Sequence, residues 1–154
     1  MTYYFLQEDF EALRARIQDL ERELLEVGQE MGEACTQSAE TWHDNSPYEE
    51  ATRHAKFLSQ RLRELVDIYN QARVVDPPNG GPKRVALGRM VTVQDLDTGE
   101  EMTFKVGSYL VLGNNGTRSY RAPLVRLIIS AEEGEIREGQ VAGRHRALEV
   151  LAIE

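Results

Sequence analysis

Two apolar series with heptad spacing constrain this chain more than any other feature. Phe10, Leu13, Ile17, Leu20, Leu24, Val27 and Met31 recur at intervals of 3, 4, 3, 4, 3 and 4 residues. Tyr48, Ala51, Ala55, Leu58, Leu62, Leu65, Tyr69 and Ala72 continue the same alternation. On a helix this spacing gives one narrow seam, with polar residues on the remaining surface. A lone helix cannot bury such a stripe. Two of them joined by a short connection fold back on each other as an antiparallel coiled-coil hairpin. Arms of about 30 residues make a hairpin about 45 Å long at 1.5 Å per residue. Ala51 and Ala55 allow close helix approach near the tip. Gly28 and Gly32 are expected to weaken the end of the first helix, at about 1 kcal/mol each relative to alanine.

The connection between the seams reads ETWHDNSPYEE over residues 40–50. Ser46-Pro47-Tyr48-Glu49 has the form of a capping box, with Ser46 as N-cap, Pro47 at the first helical position and Glu49 at the third. The second helix is therefore expected to start at Pro47, with 41–45 as the turn. Capping explains Ser46, Pro47 and Glu49. It does not explain Trp42, the only tryptophan, which has no core to enter at the end of a two-helix hairpin and is expected to meet a partner.

Periodicity stops after Val74-Val75-Asp76. Pro77-Pro78-Asn79-Gly80-Gly81-Pro82 reads as a linker. Beyond it, alternation predicts strands over Arg89–Asp95, Met102–Val106 and Tyr109–Leu112, with turns at Asp97-Thr98-Gly99 and Gly113-Asn114-Asn115-Gly116. Pro123–Ile129 fits either a helical turn or a buried strand. Ile136 and Ala147–Ile153 read as strands flanking a turn at Gly143. The expected fold class is α+β: a hairpin over 1–76 with its tip at 41–47, a linker over 77–82, and a small antiparallel β domain over 83–154.

Charge is divided unevenly. Residues 1–76 carry the whole net charge of −8, and residues 77–154 hold ten acids and ten bases. No Lys or Arg occurs from Glu23 to Thr52, where eight acids do. A one-signed acidic pole repels phosphate backbones, so direct, sequence-specific DNA binding by this half is not expected. Metal ions or a basic protein surface suit it better. The single cysteine, Cys35, permits no intrachain disulfide and fits a reducing, cytoplasmic setting. No apolar run spans a bilayer, and the first residues lack a signal-peptide pattern, so no membrane association is expected. His43 adjoins Asp44, but neither His54 nor His145 stands at metal-ligand spacing. With no nucleophile–base constellation in view, the chain is not read as a self-contained enzyme.

Several short motifs, in order, resemble the bacterial Gre transcript-cleavage factors. The family tip reads Asp-Leu-Ser-Glu-Asn-Ala-Glu-Tyr and its hairpin closes with Val-Ile-Asp. Anchored on Tyr48, this chain keeps the family's spacing to Val74-Val75-Asp76. Val91-Thr92-Val93-Gln94-Asp95, Thr98-Gly99-Glu100-Glu101, Val106-Gly107 and Ala122-Pro123-Leu124 are similar to the family's Val-x-Val-x-Asp, Thr-Gly-Glu-Glu, Val-Gly and Ser-Pro-Leu-Gly. The departures are specific. Asp44 stands at the tip Glu, Thr41 at the tip Asp and Pro47 at the second Glu, while Asn45 matches. Tyr109-Leu110-Val111 replaces Glu-Ala-Asp, and Val125 replaces Gly.

The resemblance implies an FKBP-like β domain that docks at the secondary channel of bacterial RNA polymerase, and a hairpin whose tip reaches the catalytic centre. The nascent RNA end would then be met only indirectly. Asp44 and Asn45 become the cleavage-assisting pair, with Asp44 on an Mg²⁺ shared with the polymerase, the factor having no cofactor of its own. Glu40, Thr41, Trp42 and His43 become tip contacts, and Glu40 or Glu49 a substitute for the missing acid. Arg118, Arg121 and Arg126, free in a neutral domain, are expected with Pro123 and Leu124 to meet an acidic rim. A monomer is expected. A non-cleaving modulator or inhibitor in the same channel is the alternative. A prolyl isomerase or chaperone with a coiled-coil arm is more distant, since the β domain offers only Phe104, Tyr109 and Tyr120 to line a pocket.

Overall fold

The structure, a computed structural model, describes residues 1–38, 46–113 and 116–154. The chain divides into two compact units. A helical unit spans Glu11–Gln71, and a β unit joins Met1–Phe10 to Ala72–Glu154.

The helical unit is made by α1 (Gln7–Ser38) and α2 (Ser46–Asn70). Leu13, Leu20 and Val27 on α1 are buried, as are Ala51, Leu58 and Leu65 on α2. In each helix these positions lie seven residues apart, and the seam residues between them are half-buried. The two helices are the unit's only elements, so the seams bury against each other. Seven residues separate α1 from α2 and reach about 25 Å at most. That is too short to carry the chain back along a helix of about 37 Å, so the helices run antiparallel. Each fully buried leucine contributes about 1.5–3 kcal/mol. α1 continues through Gly28 and Gly32 to Ser38. Seam burial next to the glycines, at Val27 and Met31, offsets their low propensity.

α2 starts within one residue of its expected start and ends at Asn70, ahead of the last seam residue. Ala72–Val74 instead forms β2, which pairs in parallel with β1 (Tyr3–Phe5), Tyr3 facing Ala72 and Phe5 facing Val74. That pairing places residues 1–10 and 72–76 with the β unit, where the sequence reading put them in the hairpin.

The main sheet holds β3 (Met90–Asp95), β4 (Glu101–Gly107), β5 (Thr117–Ser119), β6 (Ile136–Val141) and β7 (Arg144–Ile153), in the order β5-β4-β3-β7-β6. Inward residues alternate along β3, with Val91, Val93 and Asp95 buried. They join Phe104, Val106, Leu148, Val150 and Ile153, and α3 (Pro123–Ile128) closes the core with Leu124, Val125 and Ile128. The stretch left open between helix and strand is thus helical, begun by Pro123 at a position that needs no backbone donor. β3 shifts register against β7 between Thr92 and Val93, where Leu151 is the extra residue.

Three of the four pairings are antiparallel, as expected, but β4 and β5 are parallel, so the sheet is mixed. Gly107 makes that parallel pairing possible. A Cβ there would overlap Thr117 Cγ2 and press on Val111 Cγ2 at 3.0 Å. Gly107→Ala is accordingly expected to destabilise the β unit by about 1–3 kcal/mol, measured by urea denaturation. A midpoint equal to that of the unsubstituted protein would show that β5 can withdraw without cost. Tyr109–Leu112 is not a strand. The Tyr109 N–H donates to the Tyr4 carbonyl at 3.0 Å, which turns the backbone toward β1 and away from the sheet.

Candidate functional site

The tip residues Glu40, Thr41, Trp42, His43, Asp44 and Asn45 lie outside the described residues. Glu49 lies in the first turn of α2 and is exposed. Among the described residues, no three His, Cys, Asp or Glu side chains are grouped to hold a metal ion. No helix among them is long and apolar enough to cross a membrane.

The β unit brings together a cluster that alternation did not foretell. The Tyr3 and Tyr109 rings meet at a tilt with centroids 4.1 Å apart, Tyr4 lies 6.2 Å from Tyr120, and Tyr109 lies 6.5 Å from Tyr120. Backbone bonds fix the rings. The Tyr4 N–H donates to the Tyr120 hydroxyl at 3.1 Å. Ser119 Oγ donates to the Tyr109 carbonyl at 2.9 Å and accepts from the Arg121 N–H at 3.1 Å. The Tyr120 N–H donates to the Gly107 carbonyl. Thus β1, the segment after β4 and the end of β5 are tied at one edge. Tyrosines held this way offer broad contact area at little entropic cost.

One arginine lies over this cluster and another over a ring of the core. Arg121 stands 5.7 Å from the Tyr109 ring centroid, and Arg118 lies 5.2 Å above Phe104. Both are exposed, and neither has a carboxylate within 4.0 Å among the described residues. Stacking orients each guanidinium and leaves its donors free for an acidic surface. Pro123 and Arg126 are exposed and line a separate shallow cleft with Leu127 and Gln140. Leu124 is only 5% exposed and faces the core between Val125 and Ile128. It had been expected at the docking surface. Its packing makes it structural, and a partner cannot reach its side chain.

Beneath the cluster, buried Ser108 organises the start of α1. Its hydroxyl accepts from the Leu6 N–H at 2.8 Å and donates to the Asp9 carboxylate. Lys105 Nζ lies 3.2 Å from Glu8 Oε1. The Glu8 carboxyl is held below the usual range, mainly by a backbone N–H and then by Lys105. Acids in the first turn of a helix also suit its positive end. Phe104 is buried in the core, and Tyr109 and Tyr120 pack on Tyr3 and Tyr4. The rings that an isomerase pocket would need are therefore in use elsewhere. Sequence reasoning missed Tyr3 and Tyr4. The signal was present as Tyr-Tyr-Phe, a β-prone triplet ahead of the helix.

The motif residues in the β unit have structural reasons for their identity. Asp95 Oδ1 accepts from the N–H groups of Asp97 (2.9 Å) and Thr98 (3.2 Å), which forms the turn before β4. Gly99 takes φ +76° there. Residues 79–154 match the family described as "Transcription elongation factor, GreA/GreB, C-term". A transcription elongation factor GreA of Syntrophobacter fumaroxidans is 32% identical over 96% of this chain and 94% of that protein. The GreA of Sulfurovum sp. is 29% identical over 87% of this chain and 78% of its own length. The crystal structure of GreA factor homolog 1 of Thermus thermophilus aligns over 100% of this chain and 99% of that one, at 21% identity and a TM-score of 0.47, and adds nothing to the assignment. Similarity to GreA proteins extends through the helical unit as well as the β unit, and the chain belongs to the GreA/GreB family of transcription elongation factors.

Proposed function

We propose that this chain binds bacterial RNA polymerase at its secondary channel, as a monomer, and regulates elongation there. One observation carries the reading: alignment with a transcription elongation factor GreA over nearly the full length of both chains. The tyrosine cluster, with Arg118 and Arg121 unpaired among the described residues, supports docking through the β unit, where an acidic rim would find oriented donors. In this reading the helical unit presents Asp44 and Asn45 to the polymerase active site. The Asp44 carboxylate is a hard oxygen donor of the kind Mg²⁺ takes. Mg²⁺ there would polarise the phosphodiester and activate water. Hydrolysis belongs to the polymerase, and the factor supplies a ligand and a position.

The test is a backtracked elongation complex to which the protein is added. Shortening of the RNA is expected. Asp44→Asn should abolish most of it while leaving binding within about twofold, because the swap is nearly isosteric and removes only charge. Thr41→Asp should raise cleavage or lower the Mg²⁺ requirement, since ligand charge sets the hold on the ion. Replacing Arg118, Arg121 and Arg126 together by alanine should weaken binding about tenfold, at roughly 0.5 kcal/mol for each charge at the rim of the interface. Slowed nucleotide addition without any shortened RNA would defeat the cleavage reading. The absence of two family carboxylates, at Thr41 and Pro47, is what supports that second reading, a modulator that occupies the channel, while the retained Asp44 and Asn45 support cleavage.

A further inference from the structure

Arg89 is a buried cation whose side chain has no partner among the described residues. It is 8% exposed, immediately before β3. Among the described residues, no carboxylate oxygen lies within 4.0 Å of it, and its side chain makes no hydrogen bond. Its nitrogens are nevertheless not sealed from solvent, because no fully buried polar side-chain atom lacks a partner among the described residues. Access comes through two small clefts left where residues 77–82 cross the β unit, and Arg89 lines both. The first, about 270 Å³, also meets Lys83, Glu154 and the backbone of Gly80 and Gly81. The second, about 280 Å³, is mainly apolar, with Val85 and Ala86 in its wall.

Desolvating a guanidinium without a counter-charge is unfavourable, and the surrounding side chains do not relieve it. Neighbouring Arg84 is already paired with Glu132 at 3.1 Å. Lys83 has no carboxylate in reach among the described residues. Glu154 shares the first cleft, yet stays beyond 4.0 Å of both Lys83 and Arg89. The cleft thus holds two cations that are unpaired among the described residues and one carboxylate that does not neutralise them. Gly80 and Gly81, at φ +85° and +75°, put no Cβ in the space.

We infer that Arg89 and Lys83 form a binding site for a small phosphate anion, inorganic phosphate or pyrophosphate. A carboxylate brings one charge and two acceptors, which the Arg89 fork alone would satisfy. Phosphate brings up to two charges and enough oxygens for the fork and the Lys83 ammonium together. At about 270 Å³ the cleft has room for pyrophosphate. Binding would fasten residues 77–83 to the start of β3.

The experiment titrates the full chain with phosphate and pyrophosphate, against sodium chloride at matched ionic strength and against acetate and glutarate. The expected result is a saturable rise in melting temperature of about 5 °C or more once the anion exceeds its Kd a hundredfold. Slower proteinase K cleavage within 78–82 should accompany it. Arg89→Met, which keeps the apolar stem and removes the charge, should melt no lower than the unsubstituted protein without anion and lose the response. Lys83→Ala, at an exposed position, should raise Kd about fivefold, and Glu154→Gln should lower it about threefold through lost repulsion. No rise beyond the chloride control would overturn the proposal, as would a full response in both Arg89→Met and Lys83→Ala. An equal response to acetate or glutarate would overturn the choice of phosphate.

Discussion

Replacing Asp95 by asparagine is expected to lower the melting temperature of the β unit by about 10 °C at neutral pH. Asp95 is fully buried. Its Oδ2 accepts from Arg146 Nε at 2.9 Å and Nη2 at 2.7 Å, while Oδ1 holds the Asp97 and Thr98 N–H groups. One carboxylate therefore joins β7 to the turn that follows β3. Asparagine keeps a carbonyl for the turn but leaves the Arg146 charge, only 19% exposed, without its counter-ion. The Arg146 bonds hold the Asp95 carboxyl below the usual range, followed in importance by the Asp97 N–H. A depressed folded-state value means that the contribution is complete above the unfolded value near pH 4 and fades as pH falls through the folded one. The gap in melting temperature between wild type and variant should therefore be constant from about pH 5 to 8 and shrink below about pH 4. Near-UV circular dichroism of the tyrosine cluster reads it. A gap unchanged at pH 3 would mean that packing, not charge, sets the loss.

Leu65→Ala is expected to cost the helical unit about 3 kcal/mol, from lost transfer free energy and the cavity left behind. Leu65 is fully buried, and two helices give it no second layer of packing to fall back on. Helical ellipticity at 222 nm should melt earlier, while the near-UV signal from the tyrosines of the β unit keeps its midpoint. On the proposed docking, the variant should still bind polymerase through the β unit at temperatures where the helical unit is frayed, and lose its effect on elongation there. Loss of both signals at one lowered temperature would show that the units unfold together. Phe57, 67% exposed on the same helix, is the control. Phe57→Ala should change stability by less than about 0.5 kcal/mol.

The helical unit could be read from residue spacing because its determinants are local. A seam of spacing 3 and 4 specifies a helix and the face it buries, and the shortness of the connection specifies an antiparallel return. Ser46, Pro47 and Glu49 located the start of α2 to within one residue. The seam overran only at its end. Ala72 fits the heptad, yet pairing with Tyr3, sixty-nine residues earlier, draws it into a strand. No local pattern reports a partner that distant.

The β unit divides the same way. Alternation located β3, β4 and β7, since each has one buried face and a period of two. It failed for Tyr109–Leu112, where a hydrogen bond to Tyr4 and the tilted Tyr3 ring outweigh β propensity. It also could not distinguish Leu124, buried in the core, from the exposed Pro123 beside it. The sequence by itself determined the helical seams, the cap, the strand-forming stretches and the family motifs, because those depend on neighbours within a few residues. Only the tertiary structure decided that β5 joins β4 in parallel, that four tyrosines from three segments share one edge, and that Arg89 is buried without a counter-ion among the described residues. Each of these depends on residues far apart in the chain and on how the layers close over the core.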